Sequence, residues 1–140
     1  MEEKYGLSGK KGEAGETFFK EFYEAKGYIV THYDDDAVYQ IKGIDFVLDT
    51  GDNFYTVDVK NNLTTSRTIY VECQSKGWLF NPKKKSEFIS HVNPEMGLVV
   101  SYRRTTMQNY LKKQFHDYRE EVICLPISML PFVKIEGTKI

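Results

Sequence analysis

Two aspartates and a lysine are spaced so that one β-hairpin could gather them: Asp45 lies before the dipeptide Gly51-Asp52, and Asp58-Val59-Lys60 lies after it. With glycine first, Gly51-Asp52 suits a two-residue type II′ turn, so Thr50 should face Asn53 and Asp45 should face Asp58. Directly opposed residues share a face of the sheet, with Cβ atoms roughly 4.5 to 5.5 Å apart. Strand periodicity adds Lys60 to that face and turns Val57 and Val59 to the other. Two ionised carboxylates that close repel each other unless one is protonated or a cation lies between them. Mg2+, or Mn2+ in its place, answers that need: it binds through one or two carboxylates plus waters, and the main-chain carbonyl of Val59 could add a further oxygen. A neighbouring ammonium suits the orientation of a water nucleophile and the neutralisation of charge on a phosphate. A solvated hairpin with an ordinary Asp-Lys pair is the plainer alternative. The apolar flanks Ile44, Val57 and Val59 speak against it by placing these charges deep in a sheet.

A competing frame pairs Asp58 with Glu72 and Gln74 of Val71-Glu72-Cys73-Gln74. The first frame is preferred, because Lys60 supplies a cation that Gln74 lacks and the tight turn fixes Asp45 against Asp58. Glu72 and Gln74 remain candidates for supporting or substrate contacts.

The elements that must position these residues are read from pattern. Phe18, Phe19, Phe22 and Ala25 keep helical spacing and Gly27 is placed to end the helix, which predicts a helix over residues 13–26. Strands are predicted over 28–33, 44–50, 53–60, 67–74, 97–102 and 122–125. A short helix is predicted over 83–91 and a longer one over 105–119, with Pro126 and Pro131 interrupting regular structure near the C-terminal end. The order α-β-β-β-β-(α)-β-α-β implies an α/β (α+β) fold with a central mixed sheet flanked by helices.

At 140 residues the chain is the size of one domain, 1–140, with residues 1–12 expected to form a flexible arm. Residues 1–60 hold 13 acids against 7 lysines, whereas residues 61–140 hold 12 basic residues against 7 acids. That asymmetry fits carboxylates gathered in one place and phosphate-facing cations in another. The basic clusters are Lys83-Lys84-Lys85, Arg103-Arg104 and Lys112-Lys113. Of these, Lys83, Lys84, Lys85, Arg103 and Arg104 are the candidate DNA contacts. Trp78 could stack on an unpaired base, although a lone tryptophan is more often core. Cys73 and Cys124 read as reduced core thiols. His32, His91 and His116 lack zinc spacing, Gly6 to Gly12 lacks the P-loop spacing, and no nucleophile elbow points to acyl chemistry. No apolar run is long enough to span a bilayer and the first residues lack a signal-peptide hydrophobic region, so a cytoplasmic location is expected.

Gly43-Ile44-Asp45 followed by Asp58-Val59-Lys60 resembles the PD-(D/E)XK nuclease signature, with Ile44 in place of the proline and Asp58 in place of the usual glutamate. Gly15-Glu16-Thr17-Phe18-Phe19-Lys20 through Gly27-Tyr28-Ile29-Val30 is similar to the first helix and strand of archaeal-type Holliday-junction resolvases. The resemblance covers roughly residues 12–75 and extends to small phage-encoded nucleases. It implies a restriction-endonuclease-like core and a Mg2+-dependent endodeoxyribonuclease, with DNA as partner and a homodimer plausible for so small a chain. Within it Asp45 and Asp58 hold the metal, Lys60 positions the water and Glu16 is the helix acid that joins them, with Glu13 as fallback. The alternative is a catalytically inactive nuclease-fold protein that binds DNA or another partner.

Overall fold

A computed structural model of the chain describes residues 9–33, 38, 41–114 and 122–137. The chain forms α1 (Gly9–Glu24), β1 (Ile29–His32), β2 (Phe46–Asp49), β3 (Phe54–Lys60), β4 (Thr68–Glu72), β5 (Phe88–Asn93), β6 (Leu98–Arg103) and α2 (Arg104–Gln114). It closes with β7 (Val122–Pro126), a short 3-10 turn (Ile127–Met129) and β8 (Lys134–Gly137). Six strands make one mixed sheet in the order β1-β2-β3-β5-β6-β8, and β4 pairs with β7 in a separate ribbon. Within the six-stranded sheet β3 and β5 run parallel and the other neighbours are antiparallel.

The sheet is the middle of three layers. On one face α1 packs Phe19, Phe22 and Tyr23 against Val30, Phe46, Leu48, Val57, Val59, Val92 and Val99. On the other face α2 and the β4-β7 ribbon bury Met107, Leu111, Ile69, Val71 and Leu125 against Ile89, Val100 and Tyr102. Removal of this apolar area from water on both faces is the main stabilising term. The helix α1 ends at Gly27, which sits at φ +92°. There Gly27 N donates to Glu24 O and Tyr28 N to Tyr23 O, the paired bonds of a Schellman stop.

Several expectations from the sequence are corrected. Lys83 to His91 is not a helix: Asn81 holds the main chain in turns, and Phe88–Asn93 is a strand between β3 and β6. A strand buried on both faces has no period-two pattern, so Phe88, Ile89 and Val92 imitate helical spacing. Residues 9–12 belong to α1 rather than to an arm, while residues 1–8, and residues 115–119 of the second long helix, lie outside the described residues. The strand β8 had no strong signal. Cys73 is buried as expected, but Cys124 is exposed on β7; neither is in a disulfide.

Candidate active site

The β2-β3 hairpin turns at Gly51-Asp52, with Gly51 at φ +92° and Thr50 N donating to Asn53 O at 3.1 Å. Its ladder pairs Asp49 with Phe54, Leu48 with Tyr55, Val47 with Thr56 and Phe46 with Val57. That is the register expected from the turn, and it brings Asp45 up to Asp58. Beyond Phe46 the ladder gives way. Asp45 N donates to Val57 O at 3.0 Å, and Asp45 Oδ2 accepts the main-chain N–H of Val59 at 2.8 Å. The carboxylate thus stands where a strand carbonyl would be, directed at the backbone between Asp58 and Lys60.

Three groups converge here. Asp45, held at the backbone between Asp58 and Lys60, is close enough to Asp58 to feel its charge, and Lys60 Nζ lies 3.3 Å from Asp58 Oδ1. Asp58 is 3% exposed and Asp45 is half-buried. Burial, then the charge of Asp58 and the bond to it, raise the Asp45 carboxyl to about 9, against the opposing pull of the Val59 N–H and Lys60. Without a cation beside it Asp45 therefore holds its proton at neutral pH, as expected of a half-buried carboxyl next to a like charge.

Lys60 is enclosed on its other sides. Its ammonium lies 5.2 Å from the centre of the Trp78 ring, and it pairs across the parallel ladder with His91. Asn62 Nδ2 donates to Tyr70 O, which leaves Asn62 Oδ1 to accept from His91 Nδ1–H at 2.5 Å; His91 Nε2 then accepts from the Tyr102 hydroxyl at 2.6 Å. Burial, reinforced by Lys60, lowers His91 to about 3, so it is a neutral spacer beside the ammonium. The sequence weighs His91 only as a zinc ligand, and it does not point to Asn62 or Tyr102. The signal was hidden because β5 reads as helix, which conceals that His91 neighbours Lys60.

Glu16 is not brought to this group. The helix α1 covers the Val57 and Val59 face of β3, whereas Asp58 and Lys60 point to the other, and Glu16 Oε1 meets His32 Nε2 at 2.7 Å instead. Among the described residues no three of His, Cys, Asp and Glu are grouped so as to hold a metal. The fallback Glu13 and the helix acids Glu21 and Glu24 are exposed, Glu24 pairing with Lys20. Glu72 lies on β4, which pairs with β7 and not with β3, and Gln74 comes after the end of that strand, so the competing frame is not assembled as a hairpin.

The basic candidates separate sharply. Lys83 and Lys85 are exposed and Lys84 half-buried, and Arg103 is exposed beside Glu87 with its guanidinium over the Phe88 ring. Arg104 is not a surface contact. It is 6% exposed, and its guanidinium donates to Ser86 O, Ser86 Oγ, Trp78 O and Leu79 O. Burial lowers its affinity for the proton, a shift opposed by Asp58. Trp78 is buried, packing as core rather than standing free to stack.

A divalent cation fits the donor set. A carboxyl that burial and a neighbouring carboxylate keep protonated, beside a strand backbone, suits an ion that accepts one or two carboxylates and fills its remaining positions with water. No family model, curated protein or solved structure matches this chain.

Proposed function

We propose that the chain is a metal-dependent phosphodiester hydrolase acting on DNA, an endodeoxyribonuclease of the PD-(D/E)XK type on a restriction-endonuclease-like core. The observation that carries the reading is that one strand gathers all three groups: Asp45 Oδ2 accepts the Val59 N–H at 2.8 Å, between Asp58 and Lys60, and Lys60 Nζ lies 3.3 Å from Asp58 Oδ1. Asp45, Asp58 and the Val59 carbonyl would hold Mg2+ or Mn2+; Glu16, engaged by His32, stays outside that set. When bound, the ion supplies positive charge at the scissile phosphate and lowers the pKa of water. The Val59 N–H fixes Asp45, and the fixed Asp45 and Asp58 define where the phosphate approaches. Lys60, held between Asp58 and the Trp78 face, orients the attacking water and meets charge that develops on the phosphate.

The reading is tested by incubating the protein with linear, supercoiled, single-stranded and four-way-junction DNA in Mg2+, Mn2+ or EDTA, beside Asp58→Asn and Lys60→Met. Cleavage is expected with either metal and in neither variant. Cleavage that persists in EDTA, or in both variants, overturns it.

A further inference from the structure

The segment from Asn81 to Glu87 is held at both ends and in the middle. Asn81 N donates to Gly77 O, Lys83 N to Asn81 Oδ1 and Lys84 N to Asn81 O. Lys85 N donates to Lys42 O at 2.6 Å, Glu87 N to Thr56 Oγ1 at 2.9 Å, and Arg104 Nη2 to Ser86 Oγ at 2.7 Å. Two of these anchors belong to the candidate site's own surroundings. Lys42 is three residues before Asp45, and Thr56 lies on the Asp58 face of β3.

The Lys84 stem covers Gly43, where a Cβ would come within 2.8 Å of Lys84 Cδ and φ is +68°. Glycine suits this position by its conformation, and it also lets the lysine stem lie close over the backbone. The Lys84 stem and the Lys85 backbone lie beside the strand entry that delivers Asp45, with Lys83 next in the same ordered turn, and among the described residues no carboxylate pairs with any of the three lysines.

Unpaired charge on a floppy loop would lose much of its binding energy to ordering, but here the backbone is already ordered. Two carboxylates repel an approaching phosphate, and three adjacent ammonium groups offset that repulsion. Spread along a chain segment rather than converged on a point, they match the repeated charges of a polymer.

We infer that the Asn81–Glu87 loop is a preformed clamp for the phosphodiester backbone of a nucleic-acid strand. As to what the clamp serves, the inference rests on the hydrolase reading of Asp45 and Asp58, but binding is measured apart from cleavage. Arg104 acts as the positioning residue that staples the loop to α2.

The test is fluorescence anisotropy in EDTA with a single-stranded DNA, the matching duplex and the corresponding RNA, at salt from about 50 to 200 mM. Native protein is compared with the triple variant Lys83→Gln, Lys84→Gln, Lys85→Gln, which keeps most of the stems and removes the charge, and with Asp58→Asn. Each lysine on a phosphate contributes a slope of about 0.9 in log affinity against log salt on duplex DNA, and about 0.7 on single strands. The triple variant should therefore lose about 2 to 3 units of slope on the polymer bound best, and the three probes show which polymer that is. Asp58→Asn, which removes a carboxylate that repels phosphate, should bind at least as tightly as the native protein and keep the full salt slope. An unchanged slope on all three probes overturns the clamp, as does absence of binding by the native protein. Normal cleavage by Asp58→Asn would instead sink the hydrolase reading and leave the clamp standing.

Discussion

Asp45 Oδ2 accepts the main-chain N–H of Val59 at 2.8 Å, so the carboxylate is fixed by the strand that carries Asp58 and Lys60. This bond holds Asp45 against Asp58 although the two repel when both are charged. Such an arrangement stores a stability cost at the site. Asp45→Asn keeps an acceptor for the Val59 N–H and is neutral without having to take up a proton on folding. In EDTA at pH 8 this variant is expected to melt at a higher temperature than the native protein. In Mg2+ its hydrolysis should fall on the order of 100-fold or more, the scale of losing a group that organises transition-state charge. A lower melting temperature with hydrolysis intact would refute both halves.

The same pair sets a pH dependence. The folded-state value of Asp45, about 9, is raised above its ordinary 3.8 by burial first and Asp58 second. A raised carboxyl favours the folded protein while protonated, so its contribution is complete below about pH 4 and is lost as pH rises through about 9. Metal-free protein should lose stability across that window, and Mg2+ or Mn2+ should restore more of it at the alkaline end. Melting curves in EDTA and in metal from pH 5 to about 9.5, with Asp45→Asn as the flat reference, check the sign.

The legible part of this site was the part that local rules govern. Gly51-Asp52 and the alternation Val57-Asp58-Val59-Lys60 determine the register, and the ladder ends at the Phe46-Val57 pair that this register requires. Glu16 was misplaced because helical spacing shows which side of α1 is apolar but not which face of the sheet it covers. Arg103 and Arg104 are adjacent in sequence, yet one is solvated and the other buried. Their difference depends on carbonyls of Trp78, Leu79 and Ser86, contributed by a loop about twenty residues away, and no local pattern encodes it.

His91 predicts an opposite acid limb. Burial first, and Lys60 second, lower it from 6.5 to about 3, so the folded protein holds it neutral while the unfolded chain protonates. Its contribution is present above pH 6.5 and is lost as pH falls toward about 3. His91→Gln should flatten the stability profile between those values relative to the native protein. An unchanged acid slope in that variant would show that other groups carry the acid transition.

Arg104 should behave as a structural clamp. Arg104→Met leaves the carbonyls of Trp78 and Leu79 and both Ser86 oxygens without their charged donor; hydrogen bonds to charged groups are worth roughly 1.5 to 3 kcal/mol each. A loss of several kcal/mol is expected in urea unfolding, together with faster amide exchange across residues 78–87. A surface role would instead leave stability within about 0.5 kcal/mol of the native value.

Trp78 is the one tryptophan of the chain, and Lys60 Nζ lies 5.2 Å from its ring centre. Tryptophan emission therefore reports on the site without a label. A cation bound by Asp45 and Asp58 changes the charge that Lys60 faces, and with it the field across the indole. Titration with Mg2+ should alter the emission saturably, Lys60→Met should shift the metal-free spectrum, and Asp58→Asn should abolish the metal response. Hydrolysis that requires Mg2+ while the emission stays constant through saturation would place the ion away from the Asp45-Asp58 pair, and the assignment of these residues as its ligands would be wrong.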